Sequence, residues 1–251
     1  MVEGLDRFAD HFASYTDRYA LIGGAACDLA MQMAAQPFRA TKDLDIVLLL
    51  ETLDTVFVAA FWDFVRQARY QSREREPERR QFYRFTRPEA AGFPSMLELF
   101  ARRPDAIDYE GEGHLTPIPM DGTVSSLSAI LLDNDYYDWI RAGKQMQDSL
   151  SFVRAEHLIP LKARAWIDLS ARKSVGESVS STDVKKHRND VFRLLTIVDP
   201  EYVVTPPGQI ATDMETFLNR VPDDPPDLRS LGIRGMSLEE AVASLRDTYL
   251  K

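Results

Sequence analysis

The chain has 251 residues, of which 39 are acidic and 30 are basic, so its formal net charge is -9. An acidic balance argues against strong nonspecific binding to nucleic acid, because such binding depends on Lys and Arg neutralising phosphates. The single cysteine, Cys27, excludes an intramolecular disulfide, and no apolar run approaches the roughly 20 residues that span a bilayer. We therefore expect a soluble cytoplasmic protein with no membrane partner.

The first half of the chain alternates helical and extended patterns. Apolar residues at helical spacing predict helices over residues 5–15, 25–35 and 55–68. Alternating or continuous apolar runs predict strands over residues 19–22, 43–50, 81–86 and 95–100, with weaker strand patterns at 115–119 and 123–125.

Helical patterns dominate the second half of the chain. They predict helices over residues 128–142, 156–171, 182–198, 213–220 and 238–250. The change of character places a domain boundary near residues 122–126, and prolines become frequent after residue 200. We predict three parts: a core over 1–125, a helical domain over 126–200, and a Pro-rich irregular tail with short helices over 201–251.

Two acidic residues open the strand predicted at residues 43–50. Side chains alternate faces along a strand, so Asp43 and Asp45 point the same way while Leu44, Ile46 and Leu48 point into the core. Two neighbouring carboxylates repel each other unless a cation balances them. Carboxylate oxygens are the ligands that suit Mg²⁺ or Mn²⁺, so the pattern predicts a metal site.

A glycine pair lies between the first predicted strand and the helix that follows it. Gly23 and Gly24 permit unusual backbone angles and the close approach of a ligand, and a helix N-terminus attracts phosphate. Neither a glycine pair nor an Asp-x-Asp motif is specific alone. Their occurrence on consecutive strand, helix and strand elements is a more specific indication of a phosphate and metal site.

These motifs together resemble a known family. Gly23-Gly24, a helix of small residues and Arg39-x-Thr41-x-Asp43-x-Asp45 are similar to the AbiEii-type branch of the polymerase-β-like nucleotidyltransferase superfamily. Residues 161–169 and 185–194 resemble the C-terminal helices of that branch. The resemblance implies an α+β fold, in which a short mixed β-sheet with flanking helices is followed by a helical C-terminal domain that closes the cleft.

The same resemblance implies a metal-dependent transfer of a nucleoside monophosphate from a nucleoside triphosphate to an acceptor hydroxyl. It implies that Asp43, Asp45 and a third acid, best matched by Glu98, hold Mg²⁺ or Mn²⁺ and carry catalysis. The neighbours of Glu98 are apolar, and an unpaired carboxylate there is costly. The alternative for Glu98 is a partly exposed or Arg-paired side chain on an edge strand.

Further residues are candidates for the nucleotide-binding cleft. The motif match and the positions beside the aspartates indicate Gly23, Gly24, Arg39, Thr41, Lys42, Lys162, Lys186 and Asp190. For Lys162 the alternative is a surface lysine whose stem packs on apolar neighbours. Lys186 and Asp190 are four residues apart on a predicted helix, with Arg193 one turn further on, so their alternative is a row of surface salt bridges.

The acceptor and the biological role stay open at this level. Acceptors of the wider superfamily are RNA ends, protein hydroxyls and small molecules, and the resemblance implies a toxin of a toxin–antitoxin or phage-defence pair, with a cognate antitoxin as partner. A rival hypothesis is a catalytically silent module that binds a nucleotide or a partner protein. An α/β hydrolase is disfavoured because the sequence has no Gly-x-Ser-x-Gly motif.

Overall fold

The structure is a computed structural model that describes residues 2–49, 54–71, 82–100 and 133–251. The chain divides into two compact units: the described residues up to 100 join 144–153, and residues 133–143 join 154–251. The weak strand patterns at 115–125 and the predicted boundary at 122–126 lie outside the described residues.

The first unit contains helices and a sheet. Its described helices are α1 (Leu5–Phe12), α2 (Gly23–Met33) and α3 (Thr55–Ala68), with a 3₁₀ turn at Ala13–Tyr15. Its described strands are β1 (Tyr19–Ile22), β2 (Asp43–Leu48), β3 (Tyr70–Gln71), β4 (Phe82–Pro88), β5 (Met96–Phe100), β6 (Lys144–Gln147) and β7 (Leu150–Val153).

The strands form one mixed sheet in the order β3-β4-β5-β2-β1-β7-β6. The pairs β2–β5 and β1–β7 are parallel, while β1–β2, β3–β4, β4–β5 and β6–β7 are antiparallel. The predicted α+β class with a mixed sheet is confirmed. Strands β3, β6 and β7 were not predicted, because β3 has two residues and the β6–β7 hairpin carries no clear apolar alternation.

One face of the sheet is packed with aromatic side chains. Leu44, Ile46 and Leu48 are buried on this face, as their alternation in the sequence predicts. Phe8 of α1 packs edge-on against Tyr19 of β1, and Phe61 of α3 packs on Phe85 of β4. Burial of this face turns the alternate residues of β2, Asp43 and Asp45, towards the opposite face.

The second unit is helical, whereas residues 144–153, which lie inside the predicted helical domain, form β6 and β7 in the first unit. The described helices of the second unit are α4 (Asn134–Ala142), α5 (Ala155–Ser174), α6 (Ser181–Leu195), α7 (Gly208–Arg220) and α8 (Leu238–Tyr249), with a 3₁₀ turn at Val221–Asp223. Within the described ranges, no helix combines the length and the apolar character needed to cross a membrane.

The last fifty residues pack into the helical unit. Phe217 of α7 contacts Trp166 of α5 and Phe192 of α6, with ring centroids 5.2 Å and 6.2 Å away respectively. The Tyr249 hydroxyl at the end of α8 donates a 2.6 Å hydrogen bond to the carbonyl of Glu156. The predicted tail over 201–251 is therefore an integral part of this unit, because its apolar helix faces complete the core.

Candidate metal and nucleotide site

Strand pairing in the first unit brings the predicted acidic residues together. Asp45 of β2 is the register partner of Glu98 on parallel β5, and of Ile22 on antiparallel β1. Partner residues on adjacent strands, about 4.8 Å apart, point to the same face of a sheet. The carboxylates of Asp45 and Glu98 therefore leave the sheet on one side, and Asp43, two residues earlier on β2, leaves on that side as well.

The glycine pair lies against the same end of β2. Gly23 has φ +65° and begins α2, and a methyl group added to it would overlap Oδ2 of Asp45. A methyl group on Gly24 would lie 2.5 Å from Oγ1 of Thr41 and 3.7 Å from Nη2 of Arg39. The antiparallel β1–β2 pairing causes this, because β1 ends where β2 begins. The structure thus brings these five predicted residues together.

The start of α2 faces a carboxylate in this conformation. A helix N-terminus carries partial positive charge and N–H groups without intrahelical partners, and it favours an adjacent negative group. Here the Asp45 side chain is that neighbour of Gly23. A phosphate at the start of α2 would therefore lie close to Asp45, and a cation between the two would remove their repulsion.

The counter-charge of Glu98 is an arginine on the neighbouring strand β4. Arg84 of β4 is its register partner, and Nε and Nη2 of Arg84 lie 2.7 Å and 2.6 Å from Oε1 of Glu98. The Arg-paired alternative therefore describes its contact, but the expected edge strand is wrong, because β5 lies between β4 and β2. In the sequence, Arg84 interrupts the aromatic run at residues 82–86, and this charged residue within an apolar strand could have indicated a partner for Glu98.

Asp43 and Asp45 by themselves suit a divalent ion better than a ligand set that also includes Glu98. Both aspartates are half-buried, and Mg²⁺ is typically held by one or two carboxylates together with substrate phosphates. Within the described ranges, no group of three His, Cys, Asp or Glu side chains is arranged to hold a metal ion. The donor set therefore suits a two-aspartate site, and Oε1 of Glu98 is paired with Arg84. The role of Glu98 as a metal ligand stays a prediction.

Lys42 precedes the site on the chain but its side chain is exposed. Its carbonyl accepts a 3.1 Å hydrogen bond from Oγ of Ser95, which fixes the backbone just before β2. A contact between the Lys42 ammonium and a phosphate stays a prediction.

The three predicted residues of the helical unit form two separate ion pairs. Lys162 on α5 is buried, with Nζ 3.4 Å from Oδ2 of fully buried Asp190 on α6, so the surface alternative for Lys162 is wrong. Arg193 adds a second contact, 3.3 Å from Oδ1 of Asp190. Lys186 instead lies 3.2 Å from Oδ1 of Asp183, so the predicted Lys186–Asp190 surface pair is also wrong.

The helix geometry explains this partition. Asp190 faces α5 and is buried there against the Lys162 ammonium. Lys186 lies on a more solvent-exposed edge of α6, with a side-chain exposure of 37%. Phosphate contacts by Lys162, Lys186 and Asp190 stay predictions.

No protein-family model matches the sequence, and no curated protein matches it. A solved structure of similar arrangement is an antigenic nucleotidyltransferase-like protein from Paracoccidioides brasiliensis, with 16% identity and a TM-score of 0.45 over 92% of this chain and 93% of that chain.

Proposed function

We propose that the protein is a metal-dependent nucleotidyltransferase that moves a nucleoside monophosphate from a nucleoside triphosphate to an acceptor hydroxyl. The observation that carries this proposal is the contact between the Gly23 turn at the start of α2 and the Asp45 carboxylate on β2. It combines, in one place, the two groups that such a reaction needs: carboxylates for a divalent ion and a backbone turn for phosphate.

Each residue of the site has a chemical task in this proposal. Asp43 and Asp45 would hold Mg²⁺ or Mn²⁺, which supplies positive charge to the triphosphate when bound. Gly23 and Gly24, which lack side chains, let phosphate oxygens approach the amides that begin α2. Arg39 and Thr41, which lie beside Gly24, would donate hydrogen bonds to the same phosphates.

In the proposed reaction the acceptor oxygen forms a bond to the α-phosphorus, and the bond from that phosphorus to the pyrophosphate oxygen breaks. The acceptor proton leaves to solvent and pyrophosphate is released. An RNA end, a protein hydroxyl and a small molecule are the acceptor classes that we propose to test. The net charge of -9 favours a small molecule or an RNA that is gripped only locally. A toxin role with a cognate antitoxin is proposed from the family resemblance alone.

The test is transfer of label from each α-labelled nucleoside triphosphate, in Mg²⁺ or Mn²⁺, to total RNA, to lysate protein and to a small-molecule extract. Label in one fraction that disappears with EDTA and with Asp45→Asn supports the proposal and identifies the acceptor class. Absence of transfer to every fraction, from a folded protein that binds nucleotide, contradicts it.

A second candidate is a catalytically silent module that binds a nucleotide or a partner. The observation that favours it is the Arg84–Glu98 ion pair, because it engages the third acid that the family resemblance implies for a metal site. The silent module predicts triphosphate binding by calorimetry without label transfer or pyrophosphate release, so the same experiment separates the two candidates.

A further inference from the structure

Four register partners form one row across the inner strands of the sheet. In strand order they are Arg84 on β4, Glu98 on β5, Asp45 on β2 and Ile22 on β1. The row places two carboxylates side by side and one guanidinium at the far side of Glu98. The charge of Glu98 is therefore balanced from the side opposite Asp45.

The Glu98 carboxylate is buried and already has a counter-charge. The side chain of Glu98 is 8% exposed and that of Arg84 is 23% exposed, and both nitrogen contacts converge on Oε1. A buried carboxylate needs a counter-charge, and a carboxylate is held firmly by a guanidinium that contacts it with two nitrogens. A divalent ion at Oε1 would lie beside the Arg84 guanidinium, and the two cations would repel each other.

We propose that Arg84 is a positioning residue that restricts the metal site to Asp43 and Asp45 by keeping Glu98 as its ion-pair partner. This inference rests on the proposed function, because it assumes that the two aspartates hold a divalent ion. It reverses the sequence expectation for Glu98, which becomes a metal ligand only when the guanidinium is absent.

The experiment measures Mn²⁺ binding to the full chain without nucleotide, by electron paramagnetic resonance of free Mn²⁺ and by calorimetry. Glu98→Gln is nearly isosteric, and we expect it to bind Mn²⁺ within about twofold of the parent protein. Arg84→Gln releases Glu98, and we expect its affinity to rise by on the order of tenfold, the scale on which groups around a metal site act. The double variant Arg84→Gln/Glu98→Gln should lose that gain.

Thermal unfolding shows whether each variant is folded, and its Tm reports the effect of Mn²⁺ on stability. Arg84→Gln leaves a buried carboxylate unpaired, so its Tm should fall in EDTA and recover in Mn²⁺ more than that of the parent protein. Arg84→Lys keeps the charge and should bind Mn²⁺ like the parent. A Glu98→Gln protein that loses Mn²⁺ affinity would overturn the proposal, because Glu98 would then be a ligand already. An unchanged affinity in a folded Arg84→Gln protein would overturn it too.

Asp45→Asn tests the two-aspartate metal site independently of the role of Arg84. If it leaves Mn²⁺ binding unchanged, the proposed two-aspartate site is wrong and the role of Arg84 is wrong with it. If it weakens binding while Arg84→Gln behaves like the parent, the metal site stands and only the inference about Arg84 is overturned.

Discussion

The backbone of Gly23 lies against the carboxylate of Asp45, in the space that any side chain at position 23 would need. Gly23 also has a positive φ of +65°, which favours glycine on steric grounds. The start of α2 and Asp45 on β2 therefore pack directly against each other. Glycine is required at position 23 by the position of the aspartate as well as by its own conformation.

Gly23→Ala should therefore disturb Asp45 and abolish Mn²⁺ binding, in addition to lowering stability. A left-handed conformation costs an L-residue roughly 1–2 kcal/mol, and displacement of Asp45 adds to this. Gly176→Ala is the matched control, because Gly176 has φ +87° with no atom within 4 Å of an added methyl group. Urea unfolding should show a larger loss for Gly23→Ala. Equal losses with intact Mn²⁺ binding would contradict the assigned contact.

Replacement of either aspartate should remove transfer without unfolding the protein. A bound divalent ion stabilises transition-state charge by several kcal/mol, so Asp43→Asn and Asp45→Asn should each lower the transfer rate by at least about a hundredfold. Asp63→Asn is the control, because Asp63 is an acid on the surface of α3 that accepts a 2.6 Å hydrogen bond from Gln67. Full transfer by a folded Asp45→Asn protein would disprove the active-site assignment.

The buried pair in the helical unit should matter for stability. Lys162→Met removes one counter-charge of buried Asp190 while the Arg193 contact remains, and we expect a loss of roughly 3 kcal/mol, the low end for a broken buried pair. Lys186→Ala removes a partly exposed pair and should cost under about 1 kcal/mol. Chemical denaturation of both variants measures the difference. Similar losses would show that the Lys162–Asp190 pair is not held as described.

Nucleotide binding tests the separate proposal that Lys186 contacts phosphate. A charge-assisted contact contributes roughly 1.5–3 kcal/mol, so Lys186→Ala should weaken triphosphate binding about ten- to hundredfold in Mg²⁺. Lys251→Ala is the control, because Lys251 also forms an exposed ion pair, 3.0 Å from Oδ1 of Asp247. If calorimetry gives both variants the affinity of the parent protein, Lys186 belongs to the scaffold.

His157 should make stability depend on pH. Burial, aided by the nearby Arg154 charge, lowers its pKa from 6.5 to about 4, and its ring stacks on Trp139 with centroids 4.1 Å apart. Arg154 Nε donates to Nδ1 at 3.1 Å, so the folded protein holds a neutral imidazole. The unfolded chain binds the proton more readily between these two pKa values, so stability is full above pH 6.5 and is lost as pH falls towards 4.

The expected loss in the free energy of unfolding is about 2 kcal/mol between about pH 7 and pH 5. Urea denaturation at both pH values measures it, and His157→Asn should reduce the dependence because the titrating group is gone. An equal pH dependence in the variant would assign the effect to other groups.

The sequence by itself determined the local elements and the face on which the acids lie. The alternation of Asp43, Leu44, Asp45 and Ile46 requires that burial of the apolar residues turns both aspartates to the other side. The Gly23-Gly24 pair likewise marked the junction of β1 and α2, because a strand that runs into adjacent glycines favours a turn. These predictions depend only on residue periodicity.

Only the tertiary structure decided which charges meet. Arg84 became the partner of Glu98 through the register of β4 on β5, and Lys162 became the partner of Asp190 through the packing of α5 on α6. Sequence spacing instead suggested Lys186 as the partner of Asp190, because spacing indicates neighbours along one helix and not contacts between two helices. Register and helix packing depend on the whole buried surface, so counter-ions contributed by distant segments are fixed only when that surface is assembled.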